Sequence, residues 1–335
     1  NGVVTSGGML SNLTALAVAR EQALPGSRIT GLDGRGTLYI SAEAHYSIER
    51  SAELLGLGSN AVRSIPIDEN RRMDISALEA QINADVSNGH VPIAVVATAG
   101  TTLTGAVDPI REIAKVCKAH GIWMHVDGAY GLPAAATQSA GNLFDGIDLA
   151  DSATIDAHKW LFVPKACGIL LVRDNAALLA TFGHAASYMV DVEENPVDRT
   201  LEYSRPFRSL KLWVAFRAHG ANAIRDALEE NLRLAKLLAH LVTETPNLEL
   251  FGKPQLSIVP FRRVPAHGSI DDHNSAIAKR MQLDGDAYVT SAIVDGKTVL
   301  RPCLTNFRTS EEDIRELLRI IERTGSQLEQ EAGLG

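Results

Sequence analysis

Short apolar runs alternate with stretches whose apolar positions recur every three or four residues. "TLYIS" (37–41) precedes the helical pattern "HYSIERSAELLGL", and "HVPIAVVATAG" (90–100) precedes "DPIREIAKVCKAHG". That second pattern is amphipathic and stops at Gly121, a residue suited to ending a helix. "IWMHVDGAYG", "DSATIDAHKW" and "CGILLVRD" follow in turn. Unbroken apolar runs of this length suit strands buried on both faces. Alternation with helices predicts an α/β fold with a mostly parallel sheet, covered on both sides.

The pattern changes near residue 183. "GHAASYMVDVEENPVDRTLEYSRPF" is polar, carries proline and has no period. A long connection of this kind is commonly functional or mobile. Helical periodicity returns from about Ser209 to Val242, followed by "LSIVPFRRV", a helix near 271–282, "YVTSAIVDGKTVLRPCLTN" and a last helix from about Ser310. The expected organisation is a large α/β domain over 1–208, with 183–208 as a mobile catalytic loop region, and a smaller α+β domain over 209–335. No internal repeat is visible.

Composition narrows the function classes. The chain has 335 residues, 45% of them hydrophobic, and a formal net charge of -8. An acidic balance without a basic block argues against a nucleic-acid partner. No apolar run reaches the roughly 18–20 residues of a membrane-crossing helix, so no membrane partner is expected. Cys117, Cys167 and Cys303 are odd in number and share no metal-like spacing. They point to a reducing compartment, hence a cytoplasmic protein. The chain opens at "NGVVTSGG", without a methionine and apparently in mid-domain, so an upstream segment is expected.

In an open α/β sheet, ligands gather beyond the carboxyl ends of the strands. Ser6-Gly7-Gly8 follows "GVVT", His45 follows "TLYIS", and Thr101-Thr102 follows "VVATAG". Asp127 follows "IWMHV", and Asp156, His158 and Lys159 follow "SATI". Each has a plain structural reading: "TSGG" as a turn, His45 as a surface histidine, the threonines as turn formers, Asp127 as a cap, Lys159 as a side chain reaching for water. His125 and Asp127 also share a strand face, as a metal pair would. The set is more specific than its members. A glycine-opened helix N-terminus suits a phosphate. An acid, a lysine and a flat side chain complete the requirements of pyridoxal 5'-phosphate, whose aldehyde bonds a lysine amine and whose ring nitrogen pairs with the acid.

Seven stretches carry a resemblance: "GVVTSGGMLSNLTALAVAR", "AEAHYSIERSAELLG", "VATAGTTLTGAVDPI", "WMHVDGAYG", "DSATIDAHKWLFVP", "FRSLKLWVAFRAHG" and "LRPCLTNFRT". Together they resemble the group II pyridoxal-phosphate-dependent amino-acid decarboxylases, which include aromatic-L-amino-acid decarboxylase and glutamate decarboxylase. The resemblance runs from Gly2 to about Thr309. It implies a fold type I PLP-dependent transferase-like architecture and conversion of an amino acid to an amine and carbon dioxide. It also implies a homodimer with its active site at the interface. Position by position it makes Lys159 the covalent lysine and Asp127 the acid at the ring nitrogen. His45 and Ala129 flank the ring, and Thr102 steadies its edge. Gly7, Gly8 and Met9 form the phosphate loop, with Asp156 and His158 beside it. Tyr188 in "AASYM" resembles the loop tyrosine that protonates the carbanion, which places it in the irregular segment. The catalytic set is then Lys159, Asp127, His45 and Tyr188.

The chain departs from the family pattern at Met9, where a small or hydroxyl residue is common. Gly128 replaces a common alanine, and Ala157 a common proline. The roughly hundred residues that precede the phosphate loop in the family are absent. "HVDGAYG" and "HKWLFVP" are closer to the aromatic branch than to the glutamate branch. The rival readings are another fold type I enzyme (aminotransferase or lyase), a metal-dependent hydrolase built on His125 and Asp127, and an inactive truncated homologue.

Overall fold

The computed structural model describes residues 1–184 and 195–333. By internal contacts the chain divides into two compact units. The first comprises Asn1–Thr102, Ala106–Ala136 and Gly141–Ile224; the second comprises Leu103–Gly105, Thr137–Ala140 and Arg225–Gly335.

The first unit is built on β1 (Gly2–Thr5), β2 (Gly36–Ser41), β3 (Val62–Ile65), β4 (Val91–Thr98), β5 (Trp123–Asp127), β6 (Ser152–Asp156) and β7 (Gly168–Val172). Their order across the sheet is β1-β7-β6-β5-β4-β2-β3. Neighbours from β6 through β3 are parallel, whereas β7 is antiparallel to both β6 and β1. Only β7 therefore runs against the others, and the expectation of a mostly parallel sheet holds. The helices of this unit are α1 (Gly8–Ala23), α2 (Ser27–Thr30), α3 (Ser47–Leu54), α4 (Ile75–Ser87), α5 (Ile110–His120), α6 (Ala157–Trp160) and α7 (Asn175–Phe182).

The apolar runs form strands because both their faces are covered. In β4, Ile93, Val95 and Val96 are all fully buried. Each such side chain stabilises the fold by about 1.5–3 kcal/mol relative to exposure. Leu16 and Ala19 of α1 pack with Leu38, Ile93 and Val96 on one part of the sheet. Ala15 and Val18 pack with Leu170 and Val172 on another. The amphipathic α5 buries Ile110, Ile113, Ala114, Val116 and Cys117, and ends on Gly121 in the left-handed region at φ 66°. Glycine adopts that conformation without the Cβ penalty. The shared strand direction brings Thr5, Ser41, Thr98, Asp127 and Asp156 to one rim.

The second unit carries most of α8 (Ser209–Glu244), then β8 (Leu248–Leu250), β9 (Phe261–Arg263), α9 (Ile270–Asp284), β10 (Thr290–Val294), β11 (Lys297–Arg301) and α10 (Glu311–Gly333). Its sheet has the order β10-β11-β9-β8 and is antiparallel throughout. Asp295 and Gly296, both at positive φ (51° and 73°), make the two-residue turn between β10 and β11. Such a turn matches the twist of a hairpin. Leu238, Val242, Phe261, Met281, Leu300 and Ile321 form its core.

The division falls at Ile224, not at residue 208. Residue 208 marks the start of a helix, and α8 runs on through the division after breaking at Gly220 (φ 80°, ψ 157°). "LSIVPFRRV" yields a strand only over Phe261–Arg263, because Pro260 has no N–H to offer a ladder. Among the described residues, no helix is long and apolar enough to cross a membrane.

Candidate active site

A cavity of about 170 Å³ opens at the rim of the first unit. Gly8, Met9, His45, Thr102, Asp127, Ala129, Asp156 and Lys159 all line it. Eight positions singled out in the sequence thus meet in one place. Gly7 and His158 stand just behind: a Cβ on Gly7 would lie 3.4 Å from His158 Cε1. Tyr188 lies outside the described residues.

Asp127 ends β5 and is 6% exposed. Its Oδ1 accepts the Ala129 N–H at 3.1 Å, and its Oδ2 accepts Asn12 Nδ2–H at 2.9 Å. Asp156 ends β6 and is 2% exposed. Its Oδ2 is 3.3 Å from Lys159 Nζ and 3.7 Å from His158 Nε2. Its Oδ1 is buried and has no hydrogen-bond partner among the described residues. Burial raises the Asp156 carboxyl above its ordinary value, against the pull of Lys159 and His158.

Lys159 sits in the one-turn helix α6, which is held from below. Trp160 is fully buried and stacks on Tyr130 at 5.0 Å between centroids and 14° between planes. With Trp160 anchored inward, Lys159 points to the open side, where its side chain is 43% exposed. His158 turns the other way, with Nδ1 at 3.1 Å from both the backbone N and O of Cys167.

His45 follows β2 and is half-buried; its Nδ1 accepts the Ser47 N–H at 3.2 Å. Burial lowers its imidazole below the usual histidine range; Asp127 and Asp156 pull upward, and Lys159 adds to the lowering. The ring is therefore neutral near pH 7.

The glycine loop is shaped by close approach. Gly7 has extended backbone, and α1 begins at Gly8 with no acidic residue in its first turn. A Cβ on Gly8 would lie 3.0 Å from Asp156 Oδ2 and 3.1 Å from Ala129 Cβ. A Cβ on Gly168 would strike Thr5 Oγ1 at 2.5 Å and Gly7 Cα at 2.6 Å. Glycine at both places lets the loop close on the strand ends. The first N–H groups of a helix have no intrahelical acceptor, so the loop presents donors and a positive dipole end to the cavity.

Two contributors escaped the sequence reading. Asn12 lines the cavity from the buried face of α1 and bonds Asp127. Asparagine disfavours helix interiors, but Ser11 and Thr14 are buried in the same helix and mask that signal. Asp108 accepts the N–H groups of Met73 and Thr98 at 2.7 Å each and so fixes the end of β4. Burial pushes its carboxyl up to about 6. His125, weighed as a metal ligand, has both ring nitrogens engaged in the core, with Ser152 and Asn12.

Known proteins resemble the chain along most of its length. The profile of the pyridoxal-dependent decarboxylase conserved domain matches residues 1–264. The chain is 33% identical over 337 aligned residues to an aromatic-L-amino-acid decarboxylase of Bacillus atrophaeus, covering 98% of this chain and 69% of that protein. It is 35% identical to an L-2,4-diaminobutyrate decarboxylase of Rhizobium meliloti, covering 98% of this chain and 67% of that one. The crystal structure of Oryza sativa TDC with PLP and tryptamine superposes with a TM-score of 0.91 at 28% identity, over 98% of this chain and 70% of that one. The chain thus spans about two thirds of the length of each. A fold, a rim of chemistry and a sequence profile converge: the chain belongs to the pyridoxal-dependent decarboxylases, carboxy-lyases that act on amino acids with pyridoxal phosphate as cofactor.

Proposed function

We propose that the chain catalyses α-decarboxylation of an L-amino acid to its amine and carbon dioxide, with an aromatic amino acid as the preferred substrate. The observation that carries this is the convergence of Lys159 Nζ, the Asp127 carboxylate and the N-terminus of α1 on one cavity. The donor set fits pyridoxal phosphate. Gly8 and Met9 offer backbone N–H groups to a phosphate, and the space between Gly8, Ala129 and Asp156 would be filled by any Cβ on Gly8. Asp156, whose buried Oδ1 has no hydrogen-bond partner among the described residues, lines the same cavity.

When bound, pyridoxal phosphate supplies an aldehyde that bonds amines and a ring that accepts the electron pair of the breaking bond. Lys159 Nζ would hold the cofactor at its aldehyde. Asp127 holds a proton at the ring nitrogen; an opposite charge in contact shifts a pKa by about 1–3 units. His45 covers one ring face as a neutral imidazole, and Ala129 covers the other. Thr102 steadies the ring edge, and His158 braces the phosphate side with Gly7. Orienting the breaking bond against that ring would be worth several kcal/mol of the barrier. Tyr188 is the candidate proton donor to the α-carbon, with His45 second.

The aromatic preference is supported by "HVDGAYG", "HKWLFVP" and the Bacillus relative's name; the Rhizobium relative's name points elsewhere. A homodimer in the cytoplasm is part of the same reading. The exposed apolar side chains of Tyr203, Phe207 and Trp213 (69%, 74% and 61%) suit a covered surface, and cysteines outside any disulfide suit a reducing compartment.

The test is a screen of common and hydroxylated amino acids, read by amine and carbon dioxide, with Lys159→Ala as control. Lys159→Ala is expected to lose both turnover and the visible absorption of bound cofactor. Normal turnover in that variant would end the assignment. Keto acid in place of carbon dioxide would make the enzyme an aminotransferase.

A further inference from the structure

A line of hydrogen bonds runs through the core behind Asp127. Trp123 Nε1–H donates to Ser152 Oγ at 2.8 Å. Ser152 Oγ is 2.8 Å from His125 Nδ1, and His125 Nε2 is 3.0 Å from Asn12 Oδ1. Asn12 Nδ2 donates to Asp127 Oδ2 at 2.9 Å and to Ser47 Oγ at 3.0 Å. Asn12, His125 and Ser152 are all buried.

One placement of protons satisfies every link. An ionised carboxylate only accepts, so Asn12 must turn its NH₂ toward Asp127 and its carbonyl oxygen toward His125. A carbonyl oxygen also only accepts, so His125 Nε2 carries the hydrogen. Burial pushes the His125 imidazole down to about 4, so the ring is neutral and its Nδ1 is an acceptor. Ser152 must then donate its hydroxyl hydrogen to Nδ1, which leaves its oxygen to accept from Trp123. The indole N–H can only donate, so the line cannot reverse. Thr154 Oγ1, 3.5 Å from His125 Nε2, is at the limit of a hydrogen bond and changes nothing in this order.

We propose that Asn12 and His125 are positioning residues, which hold the Asp127 carboxylate as an oriented anion for the ring nitrogen of pyridoxal phosphate. Every hydrogen in the line points toward Asp127, and successive links polarise one another in the same sense. With Oδ2 held by Asn12 and Oδ1 by the Ala129 N–H, the carboxylate cannot rotate about its Cβ–Cγ bond without losing both. This inference rests on the assignment of Asp127 to the ring nitrogen made above.

The test uses the full-length protein, ¹⁵N-labelled at histidine, loaded with pyridoxal phosphate labelled at the ring nitrogen. Wild type should show His125 as the neutral Nε2–H tautomer at pH 7, with and without cofactor, and a protonated ring nitrogen. Asn12→Leu should move the ring-nitrogen signal toward the unprotonated position and raise the cofactor Kd. It should also lower kcat by about 10- to 100-fold, the scale of a lost hydrogen bond to a charged group, with a much smaller change in KM. His125→Leu should do the same, and His125→Gln, which keeps an N–H toward Asn12, should recover most of the loss. An Nδ1–H tautomer or an imidazolium in wild type overturns the proposal. So does an Asn12→Leu protein with the wild-type ring-nitrogen signal. Should Asn12→Leu not fold, the wild-type tautomer and the His125→Gln/His125→Leu pair decide. A folded wild type that binds no pyridoxal phosphate overturns the cofactor reading instead, and the tautomer measurement still judges the hydrogen-bond order.

Discussion

Replacing Gly128 with alanine should harm this protein, although the family resemblance makes alanine the common residue there. Gly128 is not held by conformation, because its φ is not among the positive ones. It is held by packing. A Cβ on Gly128 would lie 2.3 Å from Leu132 Cβ, with Leu132 Cδ2 and Cγ at 3.0 and 3.1 Å. Carbon atoms in contact sit about 3.5–4.0 Å apart, so the two positions must separate by more than about 1 Å. Rotating the Leu132 side chain relieves the outer contacts but leaves its Cβ in place. The backbone must therefore move, and it is pinned. The Gly128 N–H lies 3.1 Å from the carbonyl oxygens of both Val126 and Thr154, and the Leu132 N–H donates to Gly128 O at 3.2 Å. Overpacking of this kind costs about 1–3 kcal/mol. At about 2–4 °C per kcal/mol for a unit of this size, Tm should fall by about 2–12 °C. The shift also passes to the neighbours Asp127 and Ala129, so cofactor affinity should fall with stability. Circular-dichroism melts of the apo protein and a cofactor titration measure the two effects. A Gly128→Ala protein with wild-type Tm and wild-type cofactor Kd would refute the packing argument.

Asp127→Asn should keep the fold but slow decarboxylation by about 10- to 1000-fold, the scale of a lost 1–3 unit pKa shift; steady-state kinetics at saturating cofactor check it. Tyr188→Phe should slow amine formation or divert product toward oxidative deamination, and an unchanged product profile by chromatography would remove Tyr188 from the mechanism. Acid stability offers a third check. The His125 imidazole lies at about 4 in the folded protein against about 6.5 unfolded, so the unfolded chain takes up the extra proton first. Its contribution is complete above pH 6.5 and is lost as pH falls toward 4, by about 3 kcal/mol in total. Asp108, raised to about 6, acts in the opposite sense, since its contribution is lost as pH rises through 6. His125→Gln removes the first effect only. The stability gap between wild type and His125→Gln in urea titrations should therefore narrow by about 3 kcal/mol from pH 6.5 to 4; a constant gap would contradict a buried neutral His125.

The rim of the sheet was legible because a polar residue ending an apolar run has few structural reasons to be there. Asp127, Asp156 and Lys159 each stand at such a point, and each lines the cavity. The strand β4 was legible because burial on both faces leaves a nearly unbroken apolar run. What the residues did not reveal is of longer range. The pairing of β1 with β7 joins segments more than 160 residues apart, and no local period records it. Asn12 hides in a helix that is buried nearly all round, where Ser11 and Thr14 are polar and buried as well. Asp108 stands at the head of the helical pattern "DPIREIAKVCKAHG", and its partners Met73 and Thr98 come from elsewhere. The division between units was misplaced because helical periodicity continues across Ile224.

The edge position of β1 has a bearing on how the protein is made. Among the described residues β1 pairs only with β7, and the glycine loop that follows it rests against Gly168 at the start of β7. A ribosome adds about 5–20 residues per second, so roughly 10–30 seconds separate the synthesis of Gly7 from that of Val172. During that interval β1 waits for the strand it pairs with. Cofactor capture by this loop must wait until β7 has left the exit tunnel, so the glycine cradle closes long after its own residues are made.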